Sequence, residues 1–173
     1  KRWKIGDWTD DTDMMLCIAN AIIKDKDIKL STIAQNFKEW FNGEPLGIGN
    51  NTFKVLSFKD YTDNPQKGAE IIWNLSSKKS AANGAVMRTS VVGLWNNDTE
   101  RYATEICKLT HYDPRCVGSC AIISLLINNL VYKNQMLSNL TKNGVDASDT
   151  EEFWNSKCPV ADNYGELLKY NTR

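Results

Sequence analysis

Apolar residues recur at helical spacing along most of the chain. From Asp13 to Ile23, the residues Met14, Met15, Ile18, Ala19, Ile22 and Ile23 fall on one face of a helix. Ser31 fits an N-cap ahead of a second helix, with Ile33, Ala34, Phe37, Trp40 and Phe41 as its apolar stripe and Gly43 as its stop. The run GEPLGIGNNT reads as a Gly-rich loop, and short helices are expected over Phe53 to Phe58 and Gln66 to Leu75. AANGAVMRTSVVGLW reads as a loop entering a buried helix. Asp98 or Thr99 can cap the next helix, which carries Tyr102, Ala103, Ile106, Cys107 and Leu109. In HYDPRCVGSCAIISLLINNLVY, Asp113 is the N-cap and Pro114 takes the first helical position. That helix is apolar nearly all round, which places it at the centre of a bundle. Ser148-Asp149-Thr150-Glu151 has the form of a capping box, set in a polar, loop-rich tail over 142–173. No run of alternating β-branched residues stands out, so the expected class is all-α.

Composition narrows the function classes. The 173 residues suit one domain, 1–173, able to bury roughly two-thirds of its unfolded surface. Lys+Arg and Asp+Glu both number 21. With no net charge and no basic stripe, nucleic acid is not an expected partner. The longest apolar run, about Ala121 to Leu126, is short for a bilayer span, and KRWKIGDW lacks the apolar core of a signal peptide. No membrane partner is therefore expected. The five cysteines are odd in number and spread through helical patterns. They fit reduced thiols in the cytoplasm or another reducing compartment.

Four short stretches could carry chemistry. In GDWTDDTDMML, the carboxylates of Asp7, Asp10, Asp11 and Asp13 crowd just before an apolar helix. Acids in a first turn suit the helix dipole, but each contributes only about 0.3–1 kcal/mol and neighbours repel by a similar amount. The alternative is a divalent cation site, since hard cations take carboxylate and hydroxyl oxygens and Thr9, Asp10 and Asp11 offer three. GIGNNT is either a turn or a backbone that approaches a ligand closely. NGAVMR puts Asn83 and Gly84 at a helix start, which is an ordinary loop or a phosphate-binding N-terminus. THYDPRC holds His111, the one histidine of the chain, which is either part of an ordinary loop before the Asp113-Pro114 cap or a contact for a phosphate or a substrate ring. Cys116 and Cys120 lie four apart near His111, but no second pair of zinc ligands stands at a suitable spacing. No Ser or Cys nucleophile motif, phosphate-binding P-loop or dinucleotide fingerprint is present.

Taken together and in order, GDWTDDTDMML, GIGNNT, NGAVMR and THYDPRC resemble the ADP-ribosylglycohydrolase family, over about Gly6 to Leu130. The resemblance implies a compact all-α bundle with a cleft for two divalent cations, Mg²⁺ or Mn²⁺. It implies hydrolysis at the anomeric carbon of ADP-ribose, on a modified protein side chain or a small ADP-ribosyl compound. Carried over by motif, Thr9, Asp10 and Asp11 are metal ligands, with Asp10 and Asp11 catalytic. Gly47, Gly49, Asn50, Thr52, Asn83, Gly84 and Met87 line the ADP-ribose cleft, and His111 contacts the diphosphate or ribose.

The chain also departs from the family pattern and looks incomplete at both ends. Too little sequence precedes Gly6 to hold the helix with a GDALG-like motif. The family's closing Asp-x-Asp-Thr motif has its nearest counterpart in Asp146 to Thr150, where two residues separate the carboxylates. The alternative reading is a catalytically inactive relative with a structural or ADP-ribose-binding role. A shortened core would also leave an apolar face on the helix of Ala121 to Val131, open to association.

Overall fold

The computed structural model of the chain describes residues 4–132. They form six α-helices and one 3₁₀ helix, with no strand among the described residues. The α-helices are α1 (Asp10–Asp25), α2 (Leu30–Asn42), α3 (Asn50–Leu56), α4 (Pro65–Leu75), α5 (Thr99–Cys107) and α6 (Pro114–Tyr132). The 3₁₀ helix spans Val86–Leu94, between α4 and α5. The all-α expectation holds for this part of the chain. The 142–173 tail, the capping box, Asp146 to Thr150 and Cys158 lie outside the described residues.

The core gathers the periodic stripes. Met14 and Ile18 of α1 pack with Ile33 and Phe37 of α2, Val55 and Leu56 of α3, and Ala103 and Ile106 of α5. Ile23, expected on the buried face of α1, is 73% exposed, because the stripe drifts round the helix by its last turn. Gly43 ends α2 as expected. Other boundaries shift. Helix α2 begins at Leu30, with Lys29 in the cap position, so Ser31 lies inside the first turn. Helix α4 begins at Pro65, where Asn64 Oδ1 accepts the Lys67 N–H at 3.2 Å. Neither Asp98 nor Thr99 caps α5 by side chain; the Thr99 hydroxyl donates back to the Trp95 carbonyl.

The largest local departure is Val86–Leu94, which is 3₁₀ and not α. Such helices rarely exceed a few residues because their hydrogen bonds are poorer. Here Val86, Thr89, Val91 and Val92 weaken the α alternative, and α6 supplies polar partners. Ser124 Oγ lies 2.9 Å from Thr89 Oγ1, and the Asn128 amide donates to the carbonyls of Gly93 and Trp95, both at 3.2 Å. Gly93 allows the close crossing: a Cβ there would stand 2.7 Å from Ile127 Cβ and from the Ser124 carbonyl.

Helix α6 starts as the sequence predicts. Asp113 Oδ1 accepts the Arg115 N–H at 3.0 Å. It is not, however, enclosed on all sides. Val117, Cys120, Ala121, Ser124 and Asn128 are buried, while Ile123, Leu130 and Val131 are exposed. These three lie on the Ala121 to Val131 stretch, where an exposed apolar face was expected. By length and composition the 19-residue helix could cross a membrane, which corrects the expectation based on the shorter run Ala121 to Leu126. Its packing on α5 and on the 3₁₀ helix, with Ser124 and Asn128 buried at the seam, marks it as part of the bundle.

Candidate functional site

Three of the four sequence stretches meet at one point. A Cβ built on Gly84 would lie 3.0 Å from Cε1 and 3.1 Å from Nε2 of His111, and 3.1 Å from Thr52 Oγ1. Gly84 is therefore required for close approach, not for a turn. Thr52 comes from α3, since that helix starts at Asn50 and takes the last three residues of GIGNNT into its first turn. The neighbouring Asn51 amide donates to the Thr110 carbonyl at 2.9 Å, and its Oδ1 accepts the Ser80 hydroxyl at 3.0 Å. One loop residue thus braces the His111 loop and the segment leading to Gly84.

Arg88, the last residue of NGAVMR, lies at the hub. It is 1% exposed, which is rare for arginine. Its Nη2 donates to Thr110 Oγ1 at 2.6 Å, and its Nη1 lies 3.3 Å from the Met14 sulfur. Its guanidinium sits over the Phe37 ring, 4.4 Å from the centroid. No carboxylate pairs with it among the described residues. A buried charge costs several kcal/mol. The ring contact returns about 2 kcal/mol and the hydrogen bond to Thr110 a further 1.5–3 or so. Burial pulls the Arg88 pKa below its ordinary value, opposed by Cys107 and Tyr61 nearby.

Met14 also ties in the acidic stretch. Asp10 stands four residues before Met14, one helical turn away on the same face of α1. Likewise Asp11 precedes Met15, whose sulfur lies 3.5 Å from the Ser90 hydroxyl of the 3₁₀ helix. The carboxylates therefore extend the face of α1 that packs on the 3₁₀ helix.

The four acids divide by what they touch. Asp7 accepts the Lys4 N–H at 2.7 Å. Asp13 accepts two indole N–H groups, from Trp8 at 2.6 Å and Trp40 at 3.0 Å. Asp11 accepts the Thr9 hydroxyl at 2.9 Å, and Thr9 in the cap position makes no cap hydrogen bond. Among the described residues no hydrogen bond or ion pair engages Asp10. The pair Asp10 and Asp11, with Thr9, is thus left oriented but largely unspent. Its all-oxygen donor set suits a hard cation, though three oxygens make half a coordination shell. No group of three or more His, Cys, Asp or Glu side chains suited to a metal occurs among the described residues. The zinc reading of Cys116, Cys120 and His111 fails on geometry as well. The Cys116 thiol donates to the Ala82 carbonyl, and the His111 ring turns to Gly84 and Thr52.

His111 is neutral. Burial, and then the Arg88 cation, push its pKa from 6.5 down to about 3, against a weaker pull from Asp113. Its Nδ1 lies 2.8 Å from Thr110 Oγ1, whereas its Nε2 is buried with no partner. Asp113 anchors the loop that follows. It takes a fork from Arg115, with Nε and Nη2 each at 2.9 Å, and the Trp73 indole N–H at 3.0 Å. Burial would raise the Asp113 pKa, but these hydrogen bonds outweigh it and hold the carboxylate below its usual value.

The remaining sequence-selected residues spread around this centre. Gly47 is half-buried in the loop before α3, and Gly49 holds the N-cap position of that helix. Asn83 is exposed, with its carbonyl accepting the Met87 N–H at 3.2 Å. Met87 packs against the main core. Asn50 lines a cavity of about 230 Å³ with Asn51, Lys54, Ile72, Leu75, Ser76 and Ser80. That is below the ~300–1,000 Å³ of a whole drug-sized ligand site, so it suits one part of a larger ligand. Arg88 and Thr110 carry no role in the sequence reading, and Asn51 enters it only within the loop of Gly47 to Thr52. The available signal was an arginine in an apolar run with no acidic residue between Glu70 and Asp98 to pair with it.

Comparison with known proteins accounts for these motifs together. The model of the ADP-ribosylglycohydrolase family matches residues 1–170. An uncharacterised protein of Archaeoglobus fulgidus is 28% identical over 127 residues, 70% of this chain and 39% of that protein. The ADP-ribosylarginine hydrolase Tri1 of Serratia proteamaculans is 26% identical over 141 residues, 75% of this chain and 37% of that protein. The ADP-ribosyl-[dinitrogen reductase] glycohydrolase of Rhodospirillum rubrum is 24% identical over 134 residues, 75% of this chain and 43% of that protein. The matched part of this chain spans about four-tenths of each of these relatives. The chain belongs to the ADP-ribosylglycohydrolase family.

Proposed function

We propose that the chain forms the ADP-ribose-binding part, and one metal-binding face, of a hydrolase that removes ADP-ribose from a modified side chain or a small ADP-ribosyl compound. The observation that carries this reading is the convergence of Thr52, Gly84 and His111, with Asn51 and Arg88 bracing them. Neutral donors around a side-chain-free position suit the oxygens of a diphosphate or ribose. The adjoining cavity at Asn50 and Asn51 suits a further part of the same ligand. Thr9, Asp10 and Asp11 would hold Mg²⁺ or Mn²⁺. Bound there, the cation would supply a water of lowered pKa near the anomeric carbon. Asp10 and Asp11 can also accept a proton from that water. A cation at the acids also explains how a chain of zero net charge receives a phosphorylated substrate.

A second reading is favoured by one observation. Two hard cations need more oxygens than Thr9, Asp10 and Asp11 offer. On that reading the chain binds ADP-ribose without cleaving it. Calorimetry with Mg²⁺ and with ADP-ribose, followed by release of ADP-ribose from ADP-ribosylated arginine or serine peptides, separates the two. Binding of both with turnover supports hydrolysis, and ADP-ribose binding without turnover supports the second reading. Binding of neither overturns both.

A further inference from the structure

The polar centre holds a feature that the proposed chemistry leaves unused: a fully buried arginine with no acid beside it, joined by one hydroxyl to the only histidine in the chain. We propose that Arg88 and Thr110 are positioning residues, and that they fix His111 as the tautomer with its proton on Nε2, a hydrogen-bond donor for a ligand oxygen beside Gly84 and Thr52. The part of this that names ADP-ribose oxygens as the acceptor rests on the function proposed above.

The donors and acceptors of the cluster fix where the ring proton sits. Guanidinium nitrogens only donate, so Thr110 Oγ1 must accept from Arg88 across their 2.6 Å contact. The hydroxyl then has its own proton and one lone pair left. Its other partner is His111 Nδ1, at 2.8 Å. If Nδ1 carried the ring proton, Oγ1 would accept twice and its own proton would have no acceptor. A buried donor left so is destabilising. If the hydroxyl donates to Nδ1, each of these groups is matched, and the ring proton must sit on Nε2. A doubly protonated ring would again orphan the hydroxyl proton, and would set a second cation close to Arg88.

Two nitrogens of the cluster have no partner among the described residues, Arg88 Nε and His111 Nε2. Nε2 is buried with no partner, and its edge faces Gly84 and Thr52 Oγ1. Buried polar atoms of this kind are few in native proteins, and each asks for a reason. A ligand oxygen is the natural complement of Nε2–H, and the hydroxyl of Thr52 stands beside it as a second donor.

The single histidine makes the test direct. In the ¹⁵N-labelled 173-residue chain at pH 7, long-range proton–nitrogen spectra give one imidazole, whose two nitrogens report where the proton resides. The expected result is a single tautomer with Nε2 protonated and Nδ1 accepting. A proton on Nδ1, or an even exchange between the two, overturns the proposal without need of any variant. Thr110→Val should shift the Nδ1 resonance and admit the second tautomer, and Thr110→Ser should restore the wild-type pattern. Unchanged spectra in Thr110→Val would overturn the relay. Titration with ADP-ribose should then move the Nε2–H resonance, with affinity about tenfold weaker in Thr110→Val and recovered in Thr110→Ser. A correct tautomer with no response to ADP-ribose would overturn the ligand assignment and the proposed function, while leaving the relay in place.

Discussion

The two polar regions of this fold solve opposite problems. Around Arg88, Thr110 and His111 the groups are buried and joined in a chain of hydrogen bonds through the Thr110 hydroxyl. At the start of α1, Thr9, Asp10 and Asp11 are largely open to water, and their local hydrogen bonding is confined to one Thr9–Asp11 contact. A buried polar network is costly if half matched and specific if complete. An exposed acid cluster costs little to fold but cannot position anything by itself. The first region is thus organised by the protein, whereas the second is held by few side-chain contacts.

This contrast is broken most sharply at the acids. Asp10→Ala combined with Asp11→Ala should remove Mg²⁺- or Mn²⁺-dependent release of ADP-ribose. The loss of several kcal/mol of cation stabilisation corresponds to more than about a hundredfold in rate. Thermal stability should change by less than about 0.5 kcal/mol, as for other surface substitutions. Full activity in the double variant would remove the acids from the chemistry.

The next effect belongs to the buried region. Gly84→Ala places a methyl 3.0–3.1 Å from the His111 ring and from Thr52 Oγ1, closer than side-chain contacts normally allow. His111 or the Gly84 backbone must give way by a few tenths of an ångström. ADP-ribose affinity, read by calorimetry, should fall about tenfold or more, with a stability loss of about 1–3 kcal/mol from overpacking. Unchanged affinity would place the ligand elsewhere. An effect of this kind at a glycine, beside a null stability effect at two aspartates, is the signature of the difference between the regions.

The helices were largely legible beforehand, and the buried polar centre was not. Periodicity located the faces of α1 and α2, and Asp113-Pro114 gave the start of α6, because these signals are local. The 3₁₀ form of Val86–Leu94 was not legible, since it depends on Ser124 and Asn128, more than thirty residues away, donating to its carbonyls. Nor was the hub. Sequence places arginine at a surface by default, and only the packing of Met14, Phe37 and Thr110 around it shows otherwise. The four-motif order singled out Thr52, Gly84 and His111, without showing that the fold brings them together.

Acid should distinguish the regions again. The His111 pKa lies near 3 in the fold, against 6.5 in the unfolded chain, because of burial and Arg88. Between those values the unfolded chain holds a proton that the folded chain excludes. Stability conferred by the neutral ring is full above pH 6.5 and falls as pH drops towards 3, by up to ~1.4 kcal/mol per unit. Asp113, whose pKa is held below its usual value by Arg115 and Trp73, adds a loss of the same sign at lower pH. Urea unfolding from pH 7 to 4.5 should show this slope, and His111→Gln should flatten most of it. A flat wild-type profile would mean that the ring is not buried in its neutral form.

The smallest effect tests whether Asp13 belongs with its acidic neighbours. Its two oxygens are taken by the indoles of Trp8 and Trp40, and this reading makes it a structural clamp between α1 and α2. Trp40→Phe keeps most of the apolar contact and removes one charge-assisted hydrogen bond, which should cost about 1–2 kcal/mol. Denaturant unfolding would register that loss, while Mg²⁺-dependent activity should stay within about twofold. If activity instead falls as it does for Asp10 and Asp11, then Asp13 is shared between clamp and cation. The acid cluster would then be organised by the fold after all, through the Trp40 indole.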